Sequence, residues 1–129
     1  MNTMIKPSFT AVWSTDAQGI CVASQESPAG LMPELKGVTL SSWLRLAQAD
    51  DDAKIALQLT AALDFLTPFH IEVPINCLDG KTRRVIVSGL PDRQPGTSRL
   101  QYNGFILDVT GQRKALEDAL RTAAEYPSA

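Results

Sequence analysis

The stretch G-F-I-L-D-V-T-G-Q-R-K-A-L-E-D-A-L, residues 104–120, carries the chain from a strand-like run into a charged, helix-like run with almost nothing between them. Thr110 suits the N-cap of that helix, its hydroxyl able to accept a bond from an orphan backbone N–H. Asp108 adds negative charge near the helix start, where the dipole favours it. Leu116, Leu120 and Ala123 recur at four and three residues, and the pairs Glu117–Arg121 and Lys114–Asp118 support the helix. Gly111, read as the first helical position, weakens the start and marks a hinge.

The apolar seam of this helix is narrow, and a short amphipathic helix needs a surface to be stable. That surface is either its own sheet or a partner helix. The reading favoured here is the start of a coiled-coil linker in a homodimer. Pro127 ends the pattern, so the natural chain is expected to pass to another domain within a few residues.

Three strand candidates precede the helix. F-H-I-E-V-P-I-N-C, residues 69–77, alternates, with Phe69, Ile71, Val73, Ile75 and Cys77 on one face and His70, Glu72 and Asn76 on the other. Pro74 cannot donate to a ladder and points to an edge strand or a nearby bulge. Asp79-Gly80 then reads as a hairpin leading into R-R-V-I-V-S-G-L. The segment P-D-R-Q-P-G-T-S-R, residues 91–99, is expected to be a loop before L-Q-Y-N-G-F-I-L-D-V.

Further upstream, Ile55, Leu59, Ala62, Leu63 and Leu66 fall on one helical face, and Asp50, Asp51 and Asp52 before them read as a helix start. Three adjacent carboxylates do not converge on one ion, so a metal site is not expected. F-T-A-V-W-S-T-D and I-C-V-A-S, joined by the D-A-Q-G turn, read as an antiparallel hairpin. Residues 26–42, with two prolines and two glycines, permit only one-turn helices and loops. The sum is an α+β domain, a five-stranded antiparallel sheet covered on one face.

The 129 residues fit one domain, and 44% hydrophobic content is enough for a core without disulfide or metal staples. Twelve basic against fourteen acidic residues, with no basic stripe, lack the footprint of nucleic-acid binding. Cys21 and Cys77 stand in no metal-ligand spacing and read as reduced, buried thiols. No signal-like segment or run of eighteen apolar residues occurs, so the expected location is the cytoplasm, without membrane insertion.

Catalytic chemistry finds little to stand on. His70 is the single histidine and falls on the polar face of its strand, where an exposed sheet residue is the favoured reading over a base or a haem ligand. No glycine-rich phosphate loop occurs. The domain itself is therefore read as non-enzymatic.

Five motifs taken in order resemble the PAS family of sensory and interaction domains: D-A-Q-G at 16–19, G-L-M-P-E-L-K-G at 30–37, A-D-D-D at 49–52, L-D-G-K at 78–81, and G-F-I-L-D-V-T-G-Q-R-K-A-L-E at 104–117. The last looks like the family's closing element, in which an Asp-Ile/Val-Thr motif turns the final strand into a signalling helix. The resemblance implies helices between strands 2 and 3, a flanking segment over 1–8, a sensory domain over 9–110, and a helix or linker start over 111–129. It implies a signal relay through Asp108, Thr110, Gly111, Leu116 and Leu120 to an output domain such as a histidine kinase or a cyclic-dinucleotide enzyme. The cofactor is left unknown. Haem held by a protein His is not expected, because the long helix carries none, and the Asn-Cys-Arg-Phe-Leu segment of cysteinyl-flavin photochemistry is missing.

A sheet curving over a helix can enclose a small-molecule pocket. Its candidate lining is Leu59, Leu63, Phe69, Ile71, Val85, Val87 and Ile106, with Trp43 as an aromatic wall. The same positions fit a filled core equally well. Two functions stay open on this reading: a ligand-sensing input domain, and a ligand-free dimerisation or docking module that would expose an apolar patch on its sheet.

Overall fold

A computed structural model describes residues 9–49, 53–93 and 100–125. Strands β1 (Thr10–Thr15) and β2 (Cys21–Ser27) are followed by helices α1 (Leu40–Ala47) and α2 (Ala53–Phe65). Strands β3 (Phe69–Asn76), β4 (Thr82–Arg93) and β5 (Leu100–Asp108) then lead into α3 (Thr110–Glu125). The sheet order is β2-β1-β5-β4-β3, with every neighbouring pair antiparallel. This is the expected α+β architecture, with α1 and α2 between strands 2 and 3.

The first hairpin closes because the Asp16 carboxylate accepts the N–H groups of Gln18 and Ile20 at 2.9 and 3.0 Å, while Gly19 takes φ 83. Only glycine adopts that angle without a Cβ clash. In β3 the alternation holds, with Phe69, Ile71, Val73 and Ile75 buried, and Cys77 just past the strand is buried too. Strand β3 is an edge strand, as Pro74 requires, and the Pro74 carbonyl accepts the Ala49 N–H at 2.8 Å.

Three expectations are corrected. Residues 28–39 contain no helix, and the chain instead follows the sheet edge through Cys21 N–H to Val38 O at 2.9 Å and Gly37 N–H to Cys21 O at 2.8 Å. The helix starts later, at Leu40, where Thr39 Oγ1 accepts the Ser42 N–H and buries Leu40, Trp43, Leu44 and Ala47 as one face. Leu66 does not extend the face of α2: it sits past the helix end at φ 53 and is exposed, a left-handed terminus taken by a non-glycine residue. Pro91, Asp92 and Arg93 belong to β4 rather than to a loop, because they pair with Tyr102, Gln101 and Leu100. The Asp50–Asp52 start signal, Pro127 and the segment 1–8 lie outside the described residues.

The core lies between the sheet and the two helices. Its centre is an aromatic row: Trp13 and Phe69 stack with centroids 6.1 Å apart, and Phe69 meets Tyr102 at 5.6 Å. Two glycines make room for it. A Cβ at Gly104 would stand 2.4 Å from Trp13 Cζ2 and 2.0 Å from the Ser88 carbonyl oxygen, and one at Gly89 would stand 2.5 Å from Phe69 Cζ. The indole therefore lies across β5 and β4 and reaches the ring on β3.

Candidate functional site

The residues named from the sequence gather in two places, the interior and the junction between β5 and α3. In the interior, Trp43, Leu59, Phe69, Ile71, Val85, Val87 and Ile106 are all buried in one cluster, and Leu63 packs against it half-buried. The eight residues named from the sequence are thus brought together. Phe9, Trp13, Met32, Leu35 and Tyr102, not among those eight, also belong to the cluster. For Trp13 the signal was present, since Ala11, Trp13 and Thr15 alternate along β1 and all face inward.

Buried polar groups of this core are mostly satisfied within the chain. Trp43 Nε1 donates to the Pro33 carbonyl at 2.8 Å. The Tyr102 hydroxyl stands 3.0 and 2.9 Å from the carbonyl oxygens of Ala62 and Thr67 and shares its one proton between them, fixing the end of α2 to β5, and burial pushes its pKa up. Trp13 Nε1 is buried without an acceptor. A donor left in that state costs about 1–3 kcal/mol.

At the junction, Asp108 is 4% exposed. Its Oδ1 accepts both the Thr110 N–H at 2.9 Å and the Thr110 hydroxyl at 2.6 Å. The same hydroxyl oxygen accepts the Arg84 N–H from β4 at 2.9 Å, and the Val109 N–H donates to the Arg84 carbonyl at 2.8 Å. Thr110 is therefore the first residue of α3 rather than its cap, and Gly111 is the second. The Asp108 carboxylate folds back on the backbone two residues on and caps the helix in its place, a local bond that short acidic side chains form readily. The threonine hydroxyl ties the cap to the neighbouring strand.

A second tie was not foreseen. Glu72 on β3 accepts from Arg113 Nε at 2.9 and 3.0 Å and from Arg113 Nη2, and Arg84 Nη1 stands 3.4 Å away. The Arg113 guanidinium holds the Glu72 carboxyl below its usual range, partly offset by burial. From Arg113 onward every described residue of α3 is exposed, Leu116 by 47% and Leu120 by 62%. The expected Glu117–Arg121 pair is replaced by Asp118–Arg121 at 3.4 Å, since positions three apart also face each other.

His70 is exposed on β3, and Cys21 and Cys77 are free and buried. Among the described residues, no group of three or more His, Cys, Asp or Glu side chains could hold a metal ion, and no helix is long and apolar enough to cross a membrane. The solvent face of the sheet exposes Val12, Leu90 and Phe105. An open groove of about 380 Å³ over β1 and β2 is lined by residues 12–14 and 23–25.

This arrangement of sheet, inner helices and projecting terminal helix is the PAS fold. It is similar to a sensory box histidine kinase/response regulator from Burkholderia thailandensis, at 22% identity and TM-score 0.57 over 90% of this chain and 88% of that one. It is similar also to a PAS domain from Colwellia psychrerythraea, at 16% identity and TM-score 0.54 over 79% of this chain and 87% of that one. An RNA-binding light-oxygen-voltage receptor aligns at 17% identity and TM-score 0.52, over 94% of this chain but 36% of the receptor. No protein-family model and no curated protein matches the sequence.

Proposed function

We propose that the chain is a sensory input domain of a signal-transduction protein, such as a histidine kinase or a cyclic-dinucleotide enzyme. A small ligand in the interior biases two arrangements of the sheet, and α3 relays the difference to an output domain elsewhere in the full-length protein. The domain works in the cytoplasm as a homodimer, two copies meeting along Leu116 and Leu120 at the start of a coiled coil. It performs no chemistry of its own.

One observation carries this reading: the attachment of α3. The helix is bonded to the sheet at its first turn through Asp108, Thr110, Arg84 and Arg113, and its leucines beyond that turn stay uncovered. A rod anchored at one end turns small shifts of β3, β4 and β5 into displacement at the other. The Burkholderia neighbour, titled a sensory box histidine kinase/response regulator, fits the same role.

A second reading is favoured by the sheet. Val12, Leu90 and Phe105 leave apolar surface on its solvent face, as a ligand-free dimerisation or docking module would. Native against denaturing mass spectrometry on the freshly purified chain, with an absorption spectrum of the same sample, separates the two. A stoichiometric mass excess that vanishes on denaturation supports the sensor. A clean mass at the dimer supports the module.

A further inference from the structure

Helix α2 is apolar on the side that its own domain leaves in solvent. Only Lys54 and Asp64 carry charge among its 13 residues, and a helix apolar all round ordinarily has both sides buried. Towards the core, Leu59 and Ala62 are buried, and Ile55 and Leu63 pack half-buried beside them. The opposite side carries Leu57, Ala61 and Phe65 at successive fours, so that they run along one line of the helix. Leu57 is 69% and Phe65 78% exposed.

We propose that this side is a two-fold contact between copies of the chain, in which α2 packs antiparallel on the α2 of a second copy. The contact goes beyond the sensory reading and is separate from the one along Leu116 and Leu120. The face is complementary to itself. The register that sets Leu57 opposite the second copy's Ala61 also sets Lys54 opposite the second copy's Asp64, because each pair is spaced evenly about position 59. The two-fold axis repeats both pairs.

A large side chain thus meets a small one at the centre, which lets the helices approach, and a cation meets an anion at each end. Phe65 extends the apolar seam over the Lys54 stem of the second copy. Parallel helices would set Lys54 against Lys54 and Asp64 against Asp64, so charge selects the antiparallel direction. A contact made of one 13-residue helix from each copy is small and belongs with weak, concentration-dependent interfaces. Combined with pairing through α3, it links dimers into larger assemblies.

Two measurements on the whole chain test this contact. Lys54→Cys and Asp64→Cys are mixed one to one and oxidised mildly; Cys21 and Cys77 are buried, so the new thiols report the pairing. Antiparallel pairing brings positions 54 and 64 level, while either position lies about 15 Å along the axis from its own counterpart. The expected result is a disulfide-linked dimer from the mixture and none from either variant alone. Sedimentation equilibrium up to about 1 mM should show an association step that Leu57→Glu weakens tenfold or more and Leu116→Glu leaves in place. Positions 54, 57 and 64 are exposed, so the variants keep the fold. The proposal is overturned if the mixture does not cross-link, if either variant alone cross-links as well as the mixture, or if Leu57→Glu leaves every association step unchanged. No outcome depends on a bound ligand, so the sensory reading stands or falls apart from it.

Discussion

Arg113 on the first turn of α3 and Glu72 on the edge strand β3 are joined side chain to side chain, with Arg113 Nε 2.9 and 3.0 Å from the two carboxylate oxygens. The bond spans 41 residues of sequence and links the outgoing helix to the strand farthest from β1 and β2. Glu72→Gln keeps the shape and removes the charge. With the Arg113 side chain 45% exposed, solvent screens the pair, so urea unfolding should change little. Hydrogen exchange in the first turn of α3 should nevertheless rise, while α2 stays as it was.

The same pair predicts a response to acid. Glu72 has a folded pKa lowered from 4.5, chiefly by its bond to Arg113. Its contribution is therefore fully present above 4.5 and is lost as pH falls through the lower folded value. Exchange at the α3 start should be flat from about pH 5 to 8 after correction for intrinsic rates, then rise below that window. In Glu72→Gln the low-pH rise attributable to this pair should be missing.

Thr110 tests the inner tie. Thr110→Val keeps the volume but strips the Arg84 N–H of its acceptor and the Asp108 carboxylate of a donor. A loss of about 1–3 kcal/mol is expected in chemical denaturation. Thr110→Ser, which keeps the hydroxyl, should lose less than half as much.

Much of this architecture was legible because strand alternation and turn chemistry are local. Phe69 to Cys77 announced its buried face by period two, and Asp16 and Asp79 sit in turns whose carboxylates accept nearby N–H groups. What escaped the sequence depends on distant partners. Nothing near Glu72 names Arg113, and nothing near Asp108 says that its carboxylate, rather than the Thr110 hydroxyl, takes the first helical N–H. Helix α1 was missed because its apolar face straddles the end of a segment rich in proline and glycine. The residues named as pocket lining are buried together in the core, and because core and pocket lining share one signature, the sequence could not tell the two apart.

Gly104 is where the core has least tolerance. Gly104→Ala would set a methyl 2.0 Å from the Ser88 carbonyl oxygen and 2.4 Å from the Trp13 ring. Backbone on one side and a stacked indole on the other cannot both move cheaply. The expected cost is about 3 kcal/mol or more, read as a large fall in melting temperature together with loss of the near-ultraviolet dichroism of the buried aromatics.

The central claim is that the inner face of the sheet and the start of α3 are coupled, and Val85 is the place to probe it. Val85 is fully buried in the core and pairs in register with Asp108, the residue that caps the helix. Val85→Ala opens a small cavity at a cost of about 2 kcal/mol without touching any junction hydrogen bond directly. The measurement is amide hydrogen exchange of the folded variant, residue by residue, across β5 and α3. Coupling predicts faster exchange at the Thr110 and Arg113 amides as well as in β4 and β5. Faster exchange confined to the strands, with the Thr110 and Arg113 amides unchanged, would contradict it.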